Sequence, residues 1–315
     1  MNPIIADIFL PVAAMEVNAI VIISIGIFVG IISGFFGVGG GIIAVPFLFV
    51  FLEIPFHIAI GSSLAFLIGT CISGAYRHHR LENVRYRIGT VFMIGSFIGV
   101  ELGANMVEII KNTGSFEIKG RFLTASDVII SFIYIIMLIS VSILMYFESK
   151  SKPRGSRDLK DSVAMESIYV KKLNNLFPPP YIKFRESDRI ISIWLVISIS
   201  IVVGFITGLL GVGGGFLLVP AMVYLLNLRT KTAIGTSLFS IILSSIFGTF
   251  SHTIKGNVDI VLVIILLLGS TIGAQFGAAA TRKFRGPQIR FYFSILTFIA
   301  AVMSSIKLFF ILFGR

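Results

Sequence analysis

The sequence predicts an all-α polytopic membrane protein built from two inverted-topology repeats, with glycine-broken helices at the repeat interface. Three observations carry that prediction. Apolar stretches near 20 residues recur along the whole chain, each long enough to cross a hydrocarbon core of about 30 Å. The chain is 56% hydrophobic and only 13% charged, against about 25% charged in a soluble domain. One motif occurs twice, 174 positions apart: Gly34-Phe-Phe-Gly37-Val38-Gly39-Gly40-Gly41 and Gly208-Leu-Leu-Gly211-Val212-Gly213-Gly214-Gly215. The register holds without a gap for about 70 residues, pairing Ser63 with Ser237, His78 with His252 and Asn83 with Asn257. Gly95, Gly99 and Gly103 pair with Gly269, Gly273 and Gly277. The halves are an internal duplication.

In chain order, residues 1–147 form a first transmembrane repeat, 148–189 a charged cytoplasmic linker and 190–315 a second repeat. Residues 1–16 lack a basic leading region, so a short interfacial segment is expected rather than a cleaved signal peptide. The first span covers about 17–36 and ends in the glycine run. Residues 42–52 follow as an apolar segment under about 20 Å long, with Pro46 expected in its first turn, where proline is tolerated. Spans at about 58–76, 88–110 and 127–147 complete the repeat. The linker holds ten Lys/Arg, six Asp/Glu and Pro178-Pro179-Pro180, too polar for a bilayer. Segments at about 190–210, 216–227, 232–252, 258–280 and 290–312 repeat the plan.

Basic residues orient such a chain. If each short segment after a glycine run is its own crossing, 20 of the 26 Lys/Arg fall on the linker side. If each run lies inside one continuous crossing, the cluster at 282–290 falls outside. The first arrangement gives five segments per half, hence inverted repeats, a linker inside and both termini outside the cell (inner) membrane. The net charge of +11 belongs to these loops and does not point to nucleic acid. A lone cysteine, Cys71, excludes an intramolecular disulfide framework and a cysteine metal cluster; it reads as packing. No metal site or cofactor is implied.

The motif G-x-x-G-V-G-G-G-x-x-x-V-P in both halves, then A-x-G-[ST]-S and a span ending near His before N-V, resembles the TauE/SafE family of membrane transporters. Val219-Pro-Ala-Met-Val-Tyr-Leu-Leu, Gly235-Thr-Ser-Leu-Phe, Gly256-Asn-Val-Asp259 and Leu268-Gly-Ser-Thr-Ile-Gly-Ala-Gln275 are similar to it. The resemblance covers nearly all of both halves. It implies a permease for sulfite, a sulfonate or a related organosulfur anion, coupled to protons or not.

The residues themselves place the candidate site at the glycine runs. Three successive glycines break a helix, at about 1 kcal/mol each relative to alanine. Paired broken helices in two halves mark transporter binding sites; the alternative is a tight turn between packed helices. The backbone N–H groups of Val38, Gly39, Gly40, Gly41, Val212, Gly213, Gly214 and Gly215, each beside a helix N-terminus, suit a small oxyanion. No Lys-Ser/Thr follows the glycines, so this is not a nucleotide loop. Ser62, Ser63, Thr236 and Ser237 either donate to that anion or bond between helices. Glu101, near the middle of its span, and its repeat partner Gln275 are coupling candidates, since an intramembrane carboxyl is expensive; the alternative is a neutral, hydrogen-bonded carboxyl. His78 and His252 either gate and contact the anion or snorkel to the interface. Asn83 and Asn257 read as N-caps. Asp127 and Asp259 lie at span ends, where exposure costs little. The function read from this is secondary transport of a small anion. A passive anion channel and an intramembrane enzyme are the alternatives, though no catalytic motif is present.

Overall fold

The structure, a computed structural model, describes residues 7–118, 121–150, 177–183, 190–226 and 228–313. Among these are eight helices long and apolar enough to cross a membrane and two shorter apolar ones. The first half contains α1 (Ala19–Phe36), α2 (Gly41–Leu52), α3 (Phe56–Arg80), α4 (Tyr86–Lys111) and α5 (Ala125–Lys150). The second contains α6 (Ile193–Leu210), α7 (Gly215–Tyr224), α8 (Thr230–Ile254), α9 (Ile260–Ala280) and α10 (Gly286–Phe313). α2 and α7 are the two short helices, each opened by a glycine run. Most of the linker and the extreme N-terminus lie outside the described residues.

Each expected span has a helix, a few residues longer at most ends. Pro46 and Pro220 are each the sixth residue of their helix, not in the first turn. Both helices begin one residue earlier than the expected apolar run, because Gly41 and Gly215 are already helical. The expected N-caps Asn83 and Asn257 are not caps; Arg85 and Asp259 hold those positions. The N-terminal segment is a β-hairpin, β1 (Asp7–Leu10) with β2 (Met15–Asn18). Two more hairpins, β3 (Ser115–Ile118) with β4 (Arg121–Thr124) and β5 (Tyr181–Lys183) with β6 (Ile190–Ser192), precede α5 and α6.

Close approach sets the helix directions. α1 and α9 run parallel, with Gly26 against Leu266, Gly30 against Ser270 and Gly34 against Ala274. A methyl group at Gly30 would overlap the Ser270 backbone. The equivalent pair, α6 and α4, is also parallel, with Gly204 against Ser96 and Gly208 against Val100. Small residues allow this in hydrocarbon, where packing rather than water expulsion drives association. α3 and its counterpart α8 cross antiparallel, Gly74 meeting Leu238 and Gly248 meeting Leu64. α5 and α10 are antiparallel too: Ser142 Oγ donates to Ser294 O (2.9 Å), and Glu148 faces Arg290. The end of the bundle holding Glu148 and Arg290 is the linker end.

Candidate functional site

The glycine runs adopt the same backbone twice. Gly37, Gly39 and Gly40 have φ of 72°, 86° and 81°; Gly211, Gly213 and Gly214 have 69°, 79° and 75°. These left-handed values are open to glycine and disfavoured for residues with a Cβ. The chain therefore leaves α1 at Gly37, turns, and starts α2 at Gly41.

The two runs lie against each other. A Cβ on Gly41 would sit 2.9 Å from Val212 Cα, and one on Gly215 2.6 Å from Val38 Cα. Leu67 of α3 and Ile241 of α8, both fully buried, close over Gly39 and Gly213. Val38 and Val212 are buried as well. The eight glycine-run residues singled out from sequence thus come together at one crossing, packed and apolar, with no open space between them.

Their polar neighbours obey the same two-fold rule. Ser63 Oγ donates to Gly211 O and Ser237 Oγ to Gly37 O, both at 2.6 Å. Each hydroxyl also faces a carbonyl one turn back on its own helix, Ile60 O and Ile234 O, so a single proton is shared. Ser62 Oγ accepts from the Asp259 N–H (2.9 Å), and Thr236 Oγ1 accepts from the Arg85 N–H (3.0 Å). All four hydroxyls therefore tie one half to the other. The inter-segment bonding alternative describes what they do in this structure.

His78 and His252 are fully buried rather than snorkelling. His78 Nε2 bonds Gly34 O (3.0 Å) and His252 Nε2 bonds Gly208 O (2.8 Å). A carbonyl only accepts, so each Nε2 carries its proton. These carbonyls belong to the last turns of α1 and α6, whose orphan acceptors need partners. The amide side of each break is different. Among the described residues, no acceptor meets the backbone N–H groups of Val38, Gly39, Gly40 or Gly41, nor those of Val212, Gly213, Gly214 or Gly215.

Glu101 does not point into the bundle. Its side chain is 52% exposed and pairs with Lys255 at 3.4 Å, at the end opposite the linker. The physical reason is its helical face: Lys255 caps the adjacent α8 within reach, so the carboxylate needs no interior partner. Gln275 instead donates to Ser73 Oγ (3.0 Å) of α3. Asp259, expected to be exposed, is fully buried. It caps α9 through Leu262 N–H (3.1 Å) and accepts from Val12 N–H (2.8 Å), fastening the N-terminal hairpin to the bundle. Asn257 is buried between Lys111 Nζ (3.0 Å) and His252 Nδ1 (3.3 Å). An Asp opening an apolar run is an N-cap signal, and it was readable at Asp259.

A bundle of long apolar helices enclosing two short broken ones is a multi-pass membrane protein. A family model described as "Sulfite exporter TauE/SafE" matches residues 22–304, and the chain belongs to that family of membrane transporters. It is 30% identical over 271 residues to "Probable membrane transporter protein YunE" of Bacillus subtilis, covering 84% of this chain and 89% of the relative. It is 27% identical to "Probable membrane transporter protein YdhB" of the same organism (82% and 89% covered). "Probable membrane transporter protein MJ0441" of Methanocaldococcus jannaschii is 23% identical (87% and 90% covered). No solved structure gives a significant match.

Replacing Ser63 or Ser237 by alanine leaves a buried Gly211 or Gly37 carbonyl without its cross-half donor. Each variant is expected to lose about 1–3 kcal/mol, measured as a lower thermal midpoint in detergent micelles. An unchanged midpoint in both would contradict this bonding role.

Proposed function

We propose that this protein is a secondary transporter that moves a small anion, of the sulfite or sulfonate kind, across the cell membrane. The carrying observation is the pair of touching glycine runs, with eight buried backbone N–H groups that find no acceptor among the described residues. Buried N–H groups are normally paired, and irregular backbone at membrane depth is tolerated where it serves a cavity or is buried in protein. Successive N–H groups beside helix N-termini attract anions. The sulfur oxyanion class comes from the family's description. The named relatives are described as probable membrane transporter proteins, which supports a non-enzymatic reading.

In this reading the two halves are inverted repeats, supported by the antiparallel crossing of α3 with α8 and by the two-fold set of contacts. The anion binds where the runs cross, and access alternates as the halves rock about that crossing. Because the crossing is closed in this structure, Leu67 and Ile241 must part to admit the anion. Glu101 with Lys255, and His252 beside them, serve as coupling or closing contacts at the end opposite the linker. The linker lies in the cytoplasm in this reading, which the basic-residue distribution supports.

Two experiments test this. Alanine at Gly40 or Gly214 must take a left-handed conformation costing roughly 1–2 kcal/mol, and its methyl would press on Val29 Cγ1 (2.7 Å) or Thr207 Oγ1 (2.7 Å). In proteoliposomes Gly40→Ala and Gly214→Ala are expected to insert but to lose most sulfite and methanesulfonate flux. Wild-type flux at wild-type protein level would move the anion elsewhere. For orientation, Thr113→Cys and Arg282→Cys, in a Cys71→Ser background, are expected to label from opposite faces of intact cells, Arg282→Cys only from within. Labelling of both from one face would overturn the topology.

A further inference from the structure

A cavity of ≈ 20 Å³ lies at the linker end of the bundle, room for about one water molecule. Its lining includes Val38 of the first glycine run and Phe216, the residue just after the second. Phe36 and Ile234 also line it, together with Thr230 and Arg290. It therefore joins the glycine crossing to a guanidinium.

The repeat-equivalent position on the other side is bulkier. The repeat equivalent of Thr230 is Phe56, which is fully buried. Its ring packs 4.1 Å from that of Phe49 and 5.8 Å from that of Tyr134. Tyr134 Oη in turn donates to Gly41 O (3.1 Å). A small hydroxyl at one position and an aromatic cluster at its repeat equivalent make the two positions unlike.

Its charged group is loosely held. The Arg290 side chain is 15% exposed and lies 3.8 Å from Glu148, itself 13% exposed. That separation is too long for a hydrogen bond. Arg290 Nη1 donates to Tyr224 Oη (3.1 Å), while Arg290 Nε and Glu148 Oε2 are buried without a hydrogen-bond partner. A guanidinium is a planar fork of donors suited to carboxylates and other oxyanions, and buried charges are stabilised only when well paired. Here the fork keeps donor capacity beside an opening that leads to the glycine crossing.

We propose that this cavity is the linker-side anion site, with Arg290 as its charged ligand and Glu148 as an internal stand-in for the anion. It has room for about one water molecule as it stands, and widens as Glu148 and the surrounding side chains give way. One guanidinium serves two anions in turn. When a small sulfur oxyanion enters, it takes the Arg290 donors and Glu148 gives way; when it leaves for the crossing, Glu148 returns and Arg290 is not left unpaired. The proposal rests on the anion-transport reading above and adds the residue that draws the anion in.

The test uses the full-length protein with Thr230→Cys in a Cys71→Ser background. Its modification is followed with the anionic sulfonatoethyl and the cationic trimethylammonioethyl methanethiosulfonates, with methanesulfonate as protecting anion. The anionic reagent is expected to react at least about tenfold faster than the cationic one, and methanesulfonate to slow it, as electrostatic complementarity requires. Glu148→Gln removes the competitor, so half-protection is expected at about tenfold lower methanesulfonate. The double variant Glu148→Gln/Arg290→Gln keeps shape and leaves no lone buried charge; it is expected to lose both the charge preference and the protection. Equal rates for the two reagents with Arg290 present, or unchanged protection in the double variant, would overturn the proposal. Labelling requires no turnover. Charge-selective, protectable labelling without methanesulfonate flux would therefore defeat the transport reading and leave this site standing.

Discussion

The structure depends on one constraint: a helix broken inside an apolar bundle must find partners for the backbone groups it frees. α1 and α6 both end in this way. Their C-terminal carbonyls are met by His78 and His252 from within each half and by Ser237 and Ser63 from the other half. Those donors can arrive only if α3 and α8 cross at the breaks. The crossing in turn requires α1 against α9 and α6 against α4 at glycine-limited distance. The amides of the two glycine runs are the groups that find no acceptor among the described residues, and it is on this difference between the two sides of each break that the proposed anion site rests.

The reciprocal exchange of donors makes the halves interdependent. Ser63 serves the break of the second half, and Ser237 that of the first. Ser62 and Thr236 do the same for the chain entering α9 and α4. Against this two-fold background, departures stand out. Phe56 against Thr230 is one, a buried ring in place of a hydroxyl that lines the linker-end cavity. Glu101 against Gln275 is another, with an exposed ion pair in place of a neutral bond to α3. Such differences allow a duplicated scaffold to present unlike faces at its two ends.

The glycine runs, the spans and the family were legible because each rests on local pattern: run length, residue type and a fixed repeat offset. What Ser63 and Ser237 bond was not, since both readings use the same hydroxyl and only the fold decides which acceptor is near. Glu101 misled because span position gives depth along a helix but not the face. Asp259 misled because a span end can still be covered, here by a hairpin whose apolar strands resemble a short membrane segment. Arg290 passed as one more basic residue flanking a span. Its burial arises from α5 packing antiparallel to α10, a long-range pairing that one sequence does not display.

The central claim is that anion binds on the backbone amides of both glycine runs. Carbonyl-¹³C valine with ¹⁵N glycine labels the four Val–Gly pairs of the chain, ending at Gly30, Gly39, Gly204 and Gly213. Amide NMR shifts of these four during a methanesulfonate titration test the claim most directly. The account expects Gly39 and Gly213 to move together and saturably, with the mid-helix amides of Gly30 and Gly204 nearly still. Saturable binding that leaves Gly39 and Gly213 unmoved would contradict it.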